Sequence, residues 1–176
     1  MTPPTTSTLP PSQGVLQMQT NNSDRFPSRK NPRMSSIDYT SPNHYFVTVC
    51  THGKVCIFGN PGQLNHLGQI AADAIANIPN HFPGVRIDKY VVMPNHIHTI
   101  IVLDGHDTNL SVVVGLYKSH VTKQIHAIFP NLKVWQSSFH DHVIRNQRSY
   151  EKIWNYIEGN PSKWEDDCFY IHEPIN

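Results

Sequence analysis

Two runs rich in β-branched residues, Val85–Val92 and Ile97–Leu103, are separated only by Met93-Pro94-Asn95-His96, and this interruption constrains the fold more than any other feature. Proline has no N–H to give to a ladder, so the two runs cannot be one strand. A gap this short between two such runs predicts a tight turn and an antiparallel hairpin. The flanking segments then fall into order. His44–Thr51 reads as a strand, being β-branched and aromatic with Pro42 ahead of it. Residues 63–78 carry Leu64, Leu67, Ile70, Ala71, Ala74, Ile75 and Ile78 at helical spacing, with Pro79 closing the run. A second helix, capped by Asp107 or Asn109, carries Leu110, Val113, Val114, Tyr117, Val121, Ile125 and Ile128 up to Pro130. Phe139–Ile144 is a short fourth strand. Asn146 caps a last helix, Gln147–Glu158, which Gly159-Asn160-Pro161 is expected to stop. The order β-α-β-β-α-β-α is a split βαβ unit with an added C-terminal helix, which predicts an α+β sandwich around an antiparallel sheet.

Residues 1–40 hold six of the 14 prolines among Thr, Ser and Asn, and read as a disordered tail ahead of a domain spanning 41–176. The three cysteines form no C-x-x-C pair, so neither a disulfide framework nor a zinc knuckle is indicated. The N-terminus lacks a secretory pattern, and apolar runs such as Ile100–Leu103 are too short to span a bilayer, so a cytoplasmic protein without membrane contact is expected. The formal charge is only +1, but residues 118–152 set Lys118, Lys123, Lys133, Arg145, Arg148 and Lys152 against Asp141 and Glu151. A local basic patch is enough to meet a phosphate backbone, and it is equally what a solvated face looks like.

None of the 12 histidines precedes His44. Side chains alternate across a strand, so His96 and His98 share one face while Ile97 points to the other. Two imidazoles on rigid backbone form half of a metal site, or simply a hydrogen-bonded pair on a sheet. His140-Asp141-His142 repeats the spacing around a charged central residue, beside Arg145, and spacing alone does not choose between the pairs. On the last helix, Tyr150, Ile153, Trp154 and Ile157 cluster at 100° per residue as a core face, leaving Tyr156 as the available phenol near Ser149 and Lys152. Asn160 stands one turn beyond Tyr156. It could share that face, or cap a short final helix with Pro161 first and Glu165 and Asp166 in the opening turns.

Taken together, Tyr90-Val91-Val92-Met93-Pro94-Asn95-His96-Ile97-His98, then Trp135-Gln136, Phe139-His140-Asp141-His142-Val143-Ile144-Arg145, and finally Tyr156-Ile157-x-x-Asn160-Pro161 resemble the single-tyrosine HUH transposases, in the insertion-sequence and REP-associated branch. The likeness runs from about His44 to Tyr170. It implies a ferredoxin-like fold, with Tyr156 as nucleophile and His96, His98 and Asn160 holding a divalent metal, Mg²⁺ or Mn²⁺. The reaction it implies is cleavage and rejoining of single-stranded or hairpin DNA through a 5′-phosphotyrosine, near the nucleoid. Lys118, Lys123, Arg145, Arg148 and Lys152 are then the candidates for backbone contact. Assembly, as monomer or homodimer, stays open. Two rivals are a ferredoxin-like DNA-binding module that no longer cuts and a metal-dependent phosphoesterase that uses water.

Overall fold

A computed structural model describes residues 43–105 and 108–171. The expected tail at 1–40 and the alternative cap Asp107 lie outside the described residues. Four strands, β1 (Asn43–Cys50), β2 (Val85–Met93), β3 (His96–Leu103) and β4 (His140–Ile144), form one sheet in the order β2-β3-β1-β4. Every neighbouring pair is antiparallel. With α1 (His66–Ala76) and α2 (Leu110–His126) as the crossovers, β3 is inserted between β1 and β2, which is the ferredoxin-like split βαβ arrangement. The fold is α+β, and α3 (Gln147–Gly159) is the added C-terminal helix.

The two faces of the sheet are covered differently. Tyr45, Val47, Val49, Ile97 and Ile101 pack against Ile70, Ala71 and Ile75 of α1 and against Val113, Val114, Val121 and Ile125 of α2. On the opposite face, Ile100, Val102 and Ile144 receive Ile157 of α3, with Tyr150, Ile153 and Trp154 packed around them. The stripe expected on α3 is therefore its buried side. Ile128, expected on the core face of α2, lies beyond the helix and is exposed, because the helix ends at His126. Asn109 caps α2 by accepting from Ser111 N–H at 2.8 Å.

A register shift between Ile87 and Lys89 was not legible in the sequence. Ile87 belongs with the α1/α2 core, yet Val91 belongs with the α3 core, so the irregularity reverses which side chains face each layer. It also leaves Asp88 to accept from the Tyr150 hydroxyl at 3.3 Å.

The first helix begins later than its apolar spacing suggests. Gln63–Leu64 instead pairs with Gly59–Asn60 in a small hairpin, and Asn65 caps α1 through Gly68 N–H at 2.9 Å. Pro79 does not simply end the run, since Ile78–His81 forms a further helical turn. Gly68 permits α1 to approach this hairpin, because a Cβ there would lie 2.3 Å from the carbonyl oxygen of Phe58. Gly68→Ala is expected to destabilise the fold by about 1–3 kcal/mol, since the obstacle is backbone and cannot rotate away. A thermal unfolding curve matching wild type would contradict this close packing.

Candidate active site

The site lies on the α3 side of the sheet, at the end of β3 nearest the Pro94 turn. His96 and His98 are 0% and 2% exposed, with ring centroids 4.4 Å apart. Alternation along β3 sends both toward this layer while Ile97 enters the opposite core.

The hydrogen bonds around each ring fix its orientation. Asn95 donates through Nδ2 to the carbonyls of Lys54 (3.0 Å) and Phe169 (2.9 Å), leaving Oδ1 to accept from His96 Nδ1 at 2.9 Å. His96 Nε2 is then a bare acceptor, buried and without a partner. Thr48 Oγ1 lies 2.8 Å from His98 Nδ1 and fixes the orientation of the second ring. Burial pushes the His96 pKa down to about 3, helped by the charge of Lys54. Burial also drives His98 well below the ordinary histidine range, His96 adding to the effect and Asp167 opposing it. Both rings are therefore neutral at pH 7, the state in which imidazole binds a metal.

These depressed values set a stability prediction. Between pH 6.5 and about 3 the unfolded chain binds a proton at His96 that the native chain refuses, and His98 adds to the imbalance. Stability of the metal-free protein should thus be undiminished by these groups above pH 6.5 and fall as the pH drops below it. Urea midpoints in EDTA at pH 7.5 and 5.0 would test this. His96→Gln should lessen the fall, and an equal fall in that variant would exclude His96 as its source.

Tyr156 reaches the same place from α3. It is 42% exposed, its hydroxyl donates to Asp167 Oδ2 at 3.2 Å and it lies 3.2 Å from His98 Nε2. Its ring packs edge-on against Phe46, with centroids 6.1 Å apart. Burial and the Asp167 carboxylate raise its pKa above the ordinary tyrosine value. Tyr150, by contrast, packs against the apolar layer and faces Asp88.

The α-helix ends at Gly159, within the expected stop, but Asn160 itself is neither extended nor an N-cap. It has helical dihedrals (φ −59°, ψ −42°) despite preceding Pro161, and the chain continues as a 3₁₀ helix over Asn160–Asp166. It does not cap that segment: Gly159 stands at the N-cap, and Glu165 and Asp166 close the segment where they were expected to open it. The Asn160 side chain is buried, Nδ2 donates to Asp167 Oδ2 at 2.7 Å, and Oδ1 has no partner. The tertiary hydrogen bond to Asp167 outweighs the local preference of a residue before proline.

Asp167 is the residue that the sequence pattern did not reveal. One ligand atom each from His96, His98 and Asp167 lie within 4.8 Å of one another. Two orphaned acceptors, His96 Nε2 and Asn160 Oδ1, accompany this cluster, and such buried groups are costly unless a donor or cation meets them. The donor set of imidazole nitrogens, an amide oxygen and a carboxylate fits a divalent cation. Phe169 and Trp164 cover it, their ring centroids 4.5 and 5.9 Å from His96.

His140 and His142 are exposed on the edge strand, while Asp141 between them is buried, so the second H-x-H pair does not join the cluster. Arg145 is exposed just after β4, and Arg148 and Lys152 are exposed on α3. Lys118 is not an open phosphate ligand: its ammonium donates to the carbonyls of Gln136 (2.6 Å), Ser137 (3.2 Å) and Ser138 (3.4 Å). Lys123 is exposed one turn further along α2.

Residues 42–160 match the family model of IS200-like transposases. The chain belongs to that family. An uncharacterised protein of Haemophilus influenzae is 33% identical over 168 residues, covering 81% of this chain and 93% of that one. A REP-associated tyrosine transposase of Escherichia coli K12 is 34% identical over 96 residues, 54% of each chain. A REP-associated tyrosine transposase solved with a REP hairpin bound superposes with a TM-score of 0.56 at 26% identity, over 75% of this chain and 74% of that one. The family match stops at Asn160, so Trp164, Asp167 and Phe169 lie beyond it.

Proposed function

We propose that this IS200-like transposase cleaves and rejoins single-stranded, hairpin-associated DNA through a covalent phosphotyrosine at Tyr156. The observation that carries the reading is the 3.2 Å approach of the Tyr156 hydroxyl to His98 Nε2 within one chain. The nucleophile and the imidazole pair need no second copy to meet. DNA as substrate is supported by the related transposase having been solved with a REP hairpin.

His96 and His98 would hold the cation, with Asn160 Oδ1 and Asp167 as oxygen donors; Mg²⁺ and Mn²⁺ suit this set, Mn²⁺ accepting nitrogen more readily. When bound, the cation supplies polarisation of the phosphoryl oxygens and stabilises their growing charge. Asp167 accepts the hydrogen bond of the Tyr156 hydroxyl and orients its oxygen. That oxygen forms a bond to phosphorus, the phenolic proton leaves, and the bond to the 3′-oxygen breaks. The products are a 5′-phosphotyrosine and a protonated 3′-hydroxyl, and the retained phosphoester permits rejoining without ATP. Arg145, Arg148 and Lys152 would meet the flanking phosphates. Because His96 and His98 are almost fully buried, a phosphodiester enters only when the 164–169 segment swings aside. This reading makes 41–176 the transposase domain and the nucleoid, in the cytoplasm, its place of work.

The test is incubation with hairpin-bearing single-stranded DNA and Mn²⁺, followed by a denaturing gel. A covalent protein–DNA band that disappears in EDTA supports the reading. Closure over the histidines favours a second reading, a DNA-binding module that no longer cuts, and hairpin binding with no adduct would select it. Cleavage with no adduct would select water as nucleophile.

A further inference from the structure

Among the described residues, Lys54 alone has a positive φ without being glycine. Its φ of 57° lies in the left-handed region, where a Cβ crowds the following carbonyl and glycine or asparagine is the usual occupant. Lys54 closes a short 3₁₀ turn, His52–Lys54, between β1 and the 59–64 hairpin. Hydrogen bonds hold this turn in place. Lys54 N–H donates to the Thr51 carbonyl at 3.1 Å, and Thr51 Oγ1 donates to the Val55 carbonyl at 2.8 Å. Asn95 Nδ2 donates to the Lys54 carbonyl at 3.0 Å, while Oδ1 of the same side chain accepts from His96 Nδ1. One amide thus fixes both the imidazole and the lysine backbone. Strain at a residue whose type does not favour it points to a use for the side chain.

That side chain runs toward the reaction centre. Lys54 is half-buried, and its Nζ stands 5.1 Å from the centroid of the Phe169 ring. The Phe169 centroid is in turn 4.5 Å from that of His96 and 5.8 Å from that of His98. Phe169 therefore fills the space between the ammonium and the imidazole pair. Among the described residues no carboxylate forms an ion pair with Lys54, and the electron-rich face of the aromatic ring is its counterpart. Its charge already reaches the site, adding to the depression of the His96 pKa that burial dominates.

We propose that Lys54 is a catalytic residue whose ammonium binds a non-bridging oxygen of the scissile phosphate once the 164–169 segment has opened. The assignment rests on the cleavage reading above and adds a fixed cation that Tyr156 and the neutral histidines do not supply. A phosphodiester that takes the place of the Phe169 ring meets the imidazole pair on one side and Lys54 on the other. It brings one negative charge, and loss of the phenolic proton as Tyr156 Oη bonds to phosphorus adds a second. That charge spreads over the phosphoryl oxygens until the bond to the 3′-oxygen breaks and the 3′-oxygen is protonated. A cation already in place stabilises the charge as it grows, and Lys54 gives up no proton in the step. The 5′-phosphotyrosine is again a singly charged diester, so the same contact serves rejoining.

The experiment measures single-turnover adduct formation by the full chain with Mn²⁺ and saturating hairpin-bearing single-stranded DNA, beside thermal unfolding. Lys54→Gly removes the charge and suits the positive φ, so it should melt at or near the wild-type temperature and keep the Mn²⁺-dependent rise. It should nonetheless form adduct about 10²–10³-fold more slowly, the scale of losing one preorganised contact to a reacting oxygen. Hairpin affinity in EDTA should fall by less than about fivefold, since one phosphate contact of several is lost. Lys54→Arg, which keeps the charge on a different head group, should restore the rate to within about tenfold of wild type. A methylphosphonate at the scissile linkage, mapped beforehand with wild type, replaces the charged oxygen that Lys54 meets. On that substrate wild type and Lys54→Gly should react within about threefold of each other, because the two changes remove the same contact. A wild-type rate for Lys54→Gly on the phosphodiester would overturn the proposal, as would an undiminished gap on the methylphosphonate. Loss of folding or of the Mn²⁺ rise in Lys54→Gly, with no rescue by Lys54→Arg, would make the residue structural and overturn it too. Absence of any adduct from wild type would refute the cleavage reading itself, and the role of Lys54 with it.

Discussion

Tyr156→Phe is expected to abolish the covalent DNA adduct, a loss on the order of 10⁴-fold or more, the scale that follows removal of a covalent nucleophile. The substitution removes one oxygen and leaves the ring. Packing against Phe46 and His98, with centroids 6.1 and 5.2 Å away, survives, so the helix and its contact with the sheet should persist. Hairpin affinity in EDTA should therefore remain near wild type while the adduct band is lost. Tyr150→Phe is the control on the same helix. It gives up only a 3.3 Å bond to Asp88 and should keep cutting. An adduct that persists in Tyr156→Phe and vanishes in Tyr150→Phe would transfer the nucleophile to Tyr150.

What the sequence disclosed about this site, and what it hid, divides along the range of the forces involved. Pro94 and the alternation of Ile97 with its neighbours are local, so the hairpin and the shared face of His96 and His98 could be read directly. The apolar stripe of α3 was equally local, and it separated Tyr150 from Tyr156 correctly. Asp167 was invisible because only a tertiary fold-back carries it to the histidines, and no periodicity marks a segment held by Asn95 at the Phe169 carbonyl. Asn160 was left between two roles, because a rule of nearest neighbours cannot decide it. Its conformation is set by a 2.7 Å bond to a residue seven positions away. Charge counting records Lys118 as a cation without seeing the three carbonyls that surround it. The irregularity at Asp88 depends on register with β3, which a single strand's pattern cannot display.

Replacing both histidines, His96→Ala with His98→Ala, should remove Mn²⁺ binding and cleavage together. In the native arrangement His96 Nε2 and Asn160 Oδ1 are buried without partners, so the metal-free site stores an unfavourable desolvation of roughly 1–3 kcal/mol for each such group. A cation that satisfies them binds the folded chain and not the unfolded one. It must then raise the melting temperature, by an amount that grows with its concentration; 100-fold excess over Kd corresponds to about 2.7 kcal/mol. Wild type should show this rise on titration with Mn²⁺, and the double variant should show none, although each truncated ring also leaves a cavity that lowers its starting stability. The rise, and not the absolute melting point, is the decisive readout. His140→Ala separates the two H-x-H pairs, because its exposed ring stands outside the cluster and should leave both the rise and the adduct in place. A variant lacking His140 that had lost both, beside a His96/His98 variant that retained them, would move the metal to the edge strand and undo the site described here.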